Sequence, residues 1–242
     1  MNQAQSDSLT SYGVDEQGVA LLQLDRPTAL NAINGAMIEQ LIGHLDSARE
    51  DDSVRVLVFS STDFMAFSAG ADIKEDLDKQ SQVDRMQRFA DLYNAVVRFP
   101  KPTIAACHGY TVGGGAEIAI CCDIRVGGAN LQMRFPGADL GVRVGPARLS
   151  TLCGLSAAKY LLLSSKMVKA DEALRIGLVN EVSPGAATEN AALELAGRIA
   201  AYDPESVGAL KQMLHRWDGI EDRSADEGRH MVEWLRSGPG LT

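Results

Sequence analysis

Apolar and polar positions along the chain follow two periods. Short, mainly apolar runs at 19–24 (VALLQL) and 54–59 (VRVLVF) suit strands, and 103–107 (TIAAC) reads as a buried strand. Asp25-Arg26-Pro27 ends the first of them. Between the runs, apolar residues recur at threes and fours. Met37, Leu41, Leu45 and Ala48 fall on one helix face behind Asn34, a residue suited to the N-cap. Met86, Phe89, Leu92 and Val96 do the same over 83–99, and Pro100-Lys101-Pro102 stops that helix. A strand at 124–126 follows, then a stretch at 133–144 that is mostly loop. Short helices are expected at 149–153, 157–163 and 170–176, the last ending at Gly177 as its C-cap. From Ala186 the pattern is helical, with breaks near Pro204 and Gly219. Strands alternating with helices over two thirds of the chain, then helices alone, predict an α/β core with a helical tail. No internal repeat is visible.

The stretch at 109–124, GYTVGGGAEIAICCDI, breaks this pattern. Gly113, Gly114 and Gly115 run directly into a short apolar helix with Glu117 in its first turn. Glycines admit a ligand close to the backbone, and the first N–H groups of a helix have no partner inside it. Such a turn receives negative charge, and a carboxylate beside it can move a proton while the amides hold the charge that develops. The plainer alternative is close helix packing, with Glu117 as a first-turn charge on the helix dipole.

Composition narrows the class. The 242 residues suit one large domain or two small ones, and at 45% hydrophobic they can fill a core. The 32 acidic residues outnumber the 23 basic ones, for a net charge of −9, which opposes a nucleic-acid or anionic-membrane partner. Cys107, Cys121, Cys122 and Cys153 form no C-x-x-C pair, so reduced buried thiols are expected rather than a metal site or disulfides. The opening MNQAQSDSLTSYG has no apolar signal core and no run is long enough to span a bilayer, so a cytoplasmic protein is expected.

Five motifs in order resemble the enoyl-CoA hydratase/isomerase family, the crotonases. They are Arg26-Pro27 with Ala29-Leu30-Asn31-Ala32, and Phe67-Ser68-Ala69-Gly70-Ala71-Asp72-Ile73. Then come Lys101-Pro102-Thr103-Ile104-Ala105-Ala106 through Gly114-Gly115-Ala116-Glu117, and Cys122-Asp123-Ile124-Arg125. The last is Ala170-Asp171-Glu172-Ala173 with Gly177-Leu178-Val179-Asn180-Glu181-Val182. The resemblance spans about 19–200. It implies an α/β spiral of ββα units over 1–190 and a C-terminal helical region over 191–242 that builds homotrimers or hexamers. It further implies an acyl-CoA thioester substrate with no separate cofactor and no metal. Ala71 and Gly114 N–H would form an oxyanion hole for the enolate, and Glu117 would be the acid/base. Arg26, Ala29, Leu30, Ala69, Asp72, Ile73 and Lys74 would border the coenzyme A.

The chain departs from the family in three places. Hydratases carry a second glutamate two residues before L-G, and that position here is Gly137. The next loop, Arg143-Val144-Gly145-Pro146-Ala147-Arg148-Leu149, is about three residues short, and the C-terminus also reads as shortened. Hydration or double-bond isomerisation is the first expectation. Decarboxylation of a malonyl-type CoA is the alternative, with Arg143 meeting a substrate carboxylate through its planar fork. A crotonase-like binding subunit without chemistry is the third. Asp139 is a candidate displaced carboxylate. His108 is expected to be structural, His215 and His230 to lie on the surface, and Ser68 has no His-Asp partnership that would make it a nucleophile.

Overall fold

The computed structural model describes residues 8–238. A six-stranded sheet is built from β1 (Thr10–Val14), β2 (Val19–Leu24), β3 (Val56–Ser61), β5 (Thr103–Cys107), β7 (Ile124–Gly128) and β10 (Glu181–Ser183), in that spatial order. Only the β1–β2 hairpin is antiparallel. A smaller sheet holds β4 (Ala66–Ser68), β6 (Tyr110–Val112), β8 (Gln132–Arg134) and β9 (Val168–Lys169). The chain steps between the sheets. β3 leads to β4 and then α2 (Lys79–Val97), and β5 leads to β6 and α3 (Gly114–Cys121). β7 leads to β8 and α4 (Pro146–Ser164). These repeated ββα steps form the expected spiral. α1 (Gly35–Glu50) precedes β3, and α5 (Ala170–Arg175) follows β9. Three helices close the chain: α6 (Thr188–Ala200), α7 (Pro204–Asp218) and α8 (Ile220–Ser237).

Every residue of β3 and β5 is buried, in keeping with sequences that carry no charged residue (VLVFSS and TIAAC). Their side chains alternate between two cores. Leu57, Phe59 and Ala105 face the main core with α1 and α2. Val56, Val58, Ile104, Ala106 and Val126 face the other way, onto Ala192, Ala196 and Ala200 of α6. Alanines at four-residue spacing give that helix a smooth face that settles close to the sheet. The boundary at 190/191 therefore falls inside a helix that covers the sheet.

Asn34 caps α1, its side chain accepting from the Met37 amide at 2.9 Å. α2 starts a turn earlier than its apolar stripe, because Asp78 accepts from the Ser81 amide at 2.7 Å and fixes the N-cap there. The two short helices expected at 149–153 and 157–163 are one element, α4, broken at Gly154 (φ 75°, ψ 160°). The stretch at 133–144, expected to be mostly loop, begins inside strand β8 (Gln132–Arg134). All four cysteines are free. Among the described residues no helix is long and apolar enough to cross a membrane.

Candidate active site

The glycine turn between β6 and α3 lies against the loop after β4. Gly113 takes φ +50° and Gly70 takes φ +100°, both left-handed values that glycine adopts without strain. A Cβ on Gly70 would sit 2.9 Å from the Val112 carbonyl and 3.4 Å from the Gly114 nitrogen, and one on Gly114 would sit 3.5 Å from the Ala71 nitrogen. The two amides are thus brought side by side. The Ile33–Ala71 bridge uses the Gly70 carbonyl and the Asp72 amide, leaving the Ala71 N–H out. Gly114 opens α3, so its N–H has no acceptor inside the helix. Among the described residues neither amide has an acceptor. A Cβ on Gly115 would meet the Ser68 side chain at 2.4 Å, so the third glycine seats the helix on β4.

Glu117 lies one turn beyond Gly114 and is 1% exposed. Its Oε2 accepts from Arg148 Nη2 at 2.8 Å, and among the described residues nothing donates to its Oε1. The same Nη2 donates to Glu227 Oε1 at 2.5 Å, and Arg148 Nη1 donates to Ser224 Oγ at 3.0 Å. Glu227 also accepts from the Gly145 and Ala147 amides at 3.0 and 2.7 Å. Burial pushes the Glu117 carboxyl up to about 7. Arg148 pulls it down, and Glu227 works against Arg148. Burial opposes the charge on Arg148, but the Glu117 and Glu227 carboxylates outweigh it and leave the guanidinium raised. A carboxyl poised near neutrality can both accept and return a proton.

Gly137 is buried, and a Cβ there would meet the Val142 carbonyl at 2.6 Å. The Val142 amide bonds the Gly137 carbonyl at 2.8 Å, closing a turn too tight for any side chain. Asp139 is exposed and paired with Arg134. Arg143 is exposed, its guanidinium 3.7 Å from the centre of the Trp234 ring, whose Nε1 donates to the Gly141 carbonyl.

The residues expected around coenzyme A come together as two laced loops. The Ala69 amide bonds the Leu30 carbonyl at 2.9 Å, and the Ile33 amide bonds the Gly70 carbonyl at 2.8 Å. Arg26 Nη1 donates to the Ala32 carbonyl at 3.0 Å and to Asp72 Oδ2 at 2.5 Å. Burial works against the Asp72 charge, but Arg26 and the Lys74 amide hold its carboxyl below the usual range. Ala29 ends the short 3₁₀ turn of this loop. Leu30, Ala69, Ile73 and Lys74 present an exposed face. His108 is structural, its ring nitrogens 3.1 and 2.9 Å from the Ala106 and Asp63 carbonyls. Ser68 donates to the Asn31 carbonyl at 2.7 Å. His230 is exposed, but His215 is not a surface residue: its ring sits between Asp123 and Glu221, 3.4 Å from each, and helps hold α7. Sequence reasoning missed Arg148 and Glu227 as site residues. Arg148 stood in a recognised loop, but Glu227 lies on a helix with no motif.

The family model described as Enoyl-CoA hydratase/isomerase matches residues 15–230. The chain is 37% identical to a short-chain-enoyl-CoA hydratase of Clostridium acetobutylicum, over 86% of this chain and 82% of that protein. It is 36% identical to a 2,3-dehydroadipyl-CoA hydratase of Escherichia coli, over 83% and 80%. A solved enoyl-CoA hydratase/isomerase from Xanthobacter autotrophicus superposes with a TM-score of 0.87 at 27% identity, covering 97% of this chain and 89% of that one.

Proposed function

The chain belongs to the enoyl-CoA hydratase/isomerase family, and from that premise we propose that Ala71, Gly114 and Glu117 carry its reaction on an acyl-CoA thioester. The thioester oxygen enters between the Ala71 and Gly114 amides. Negative charge that develops there meets two donors already in place, so little reorganisation is needed as the barrier is crossed. Glu117 moves the proton, taking it on Oε1 while Oε2 stays with Arg148. The laced loops at Arg26, Ala29, Leu30, Ala69, Asp72, Ile73 and Lys74 border the coenzyme A, which enters as part of the substrate, and we assign no separate cofactor.

The observation that carries this reading is the pair of unpartnered amides beside a buried carboxyl poised near 7. With Gly137 in place of a second glutamate, Glu117 handles the proton in hydration or in double-bond migration. Proton NMR of the purified protein with crotonyl-CoA and a 3-enoyl-CoA tests this. Water addition to the first or double-bond movement in the second is expected. No change in either substrate overturns the reading.

We infer a homotrimer or hexamer in the cytoplasm. Leu210, Leu214 and Trp217 form an exposed apolar row on α7, and Leu155 and Leu163 are exposed on α4. A second copy of this chain would cover them. Light scattering on a sizing column reads the mass directly, and a monomer at micromolar concentration contradicts the inference.

A further inference from the structure

α8 supplies a carboxylate to a site whose other parts come from the loop after β4, α3 and α4. We propose that Glu227 is a positioning residue of the reaction centre: through the shared Nη2 of Arg148 it fixes where Glu117 points and how tightly Glu117 holds its proton. This rests on Glu117 as the proton carrier described above.

One guanidinium nitrogen serves both carboxylates, at 2.8 Å to Glu117 and 2.5 Å to Glu227. Glu227 is itself fixed by two backbone amides at the start of α4, Gly145 and Ala147. That turn also covers Glu117, since a Cβ on Gly145 would sit 3.0 Å from Glu117 Oε1. α8 is therefore bolted to the segment that roofs the proton carrier.

The groups facing Glu117 come from four elements. On its own helix, burial pushes the Cys121 thiol up to about 12. On α2, burial and then Glu117 itself drive the Tyr93 phenol well above its usual range. Both stay protonated at neutral pH. The charge that Glu117 meets therefore comes from Arg148 on α4 and Glu227 on α8. Without Glu227, the whole positive charge of Arg148 would fall on Glu117 and draw its proton off at lower pH. With Glu227, that charge is shared, and Glu117 is left able to hold a proton near neutrality. The site thus obtains a second acidic partner from α8, where the turn at Gly137 admits no side chain.

The test is carboxyl-carbon NMR of the full chain without substrate, with the Glu117 signal assigned by its loss in Glu117→Gln. Glu227→Gln is expected to lower the Glu117 midpoint by about one unit or more. Glu227→Asp, which keeps the charge on a shorter arm, is expected to lower it less. The acid limb of the kcat/KM profile moves with the midpoint. A carboxylate that merely ties α8 to α4 would lower thermal stability and leave the midpoint in place, and that result overturns the proposal. Should Glu227→Gln fail to fold, an unchanged midpoint in Glu227→Asp overturns it equally. The midpoint is read without turnover. An inactive protein whose midpoint moves would overturn the proposed reaction, and with it the role of Glu227 in that reaction, while still showing that Glu227 sets how tightly Glu117 holds its proton.

Discussion

Replacing Glu117 by Gln should change how stability depends on pH, in a direction the structure fixes. The Glu117 carboxyl is raised from 4.5 to about 7, burial being the largest cause. The folded protein therefore binds this proton more tightly than the unfolded chain does. Stability from this group is fully present below pH 4.5 and is lost as pH rises to 7. A rise of that size is worth about 3 kcal/mol at 1.36 kcal/mol per unit. The glutamine side chain cannot ionise, so the variant lacks this slope. Asp72 and Asp123, whose pKa values are lowered, act on both proteins alike and cancel in the difference. The assay is urea unfolding of both proteins at several pH values from 4.5 to 8, at one protein concentration because subunit association also shifts apparent stability. Wild type minus variant should fall by about 3 kcal/mol across the window. A difference that stays flat, or that grows with pH, would refute a buried, half-protonated Glu117.

Other substitutions probe the frame around the site. Gly114→Pro deletes one amide donor at the first position of α3, where proline is tolerated, and should cut kcat by about 100-fold or more in a folded protein. The Phe89 ring edge, 3.0 Å from the new Cβ, must give slightly, so circular dichroism should accompany the kinetics. Gly137→Ala should destabilise by about 1–3 kcal/mol in urea unfolding, because the Cβ meets a backbone carbonyl. For the same reason Gly137→Glu should yield a damaged loop rather than faster hydration in a crotonyl-CoA assay. Arg148→Met leaves buried Glu117 and half-buried Glu227 without their cation and should cost about 3–5 kcal/mol, read as a lower unfolding midpoint. Asp123→Asn takes the charge partner from buried Lys211, 2.7 Å away, and should loosen α7, read as faster amide exchange in that helix.

The strands and the amides of the site were legible in the chain because each has a local cause. β2 and β5 coincide with their apolar runs: β5 is buried on both faces, and β2 keeps Val19, Ala20, Leu22 and Leu24 buried with its one polar residue, Gln23, on the partly exposed side. Ala71, Gly114 and Glu117 sit in short motifs whose glycines are dictated by backbone geometry at the motif itself. The short strands β4, β6 and β9 were not legible: two or three residues carry no period, and pairing with distant neighbours defines them. Arg148 and Glu227 were hidden for a similar reason. They lie 79 residues apart, and only the return of α8 beside α4 makes them one ion pair. His215 looked like a surface residue on a polar helix until α7 placed it against Asp123. The break in α4 at Gly154 was visible as an interruption, but whether it separates two helices or bends one depends on what the flanking turns pack against.

The most direct test of Glu117 as the proton carrier beside the two amides is exchange of the α-protons of a saturated acyl-CoA, such as butyryl-CoA, in D2O. It isolates enolate formation from any later fate of the substrate. Wild-type protein should place deuterium at the α-carbon, and folded Glu117→Gln should lose that exchange while still binding the thioester. Equal exchange rates in the two proteins would contradict the account.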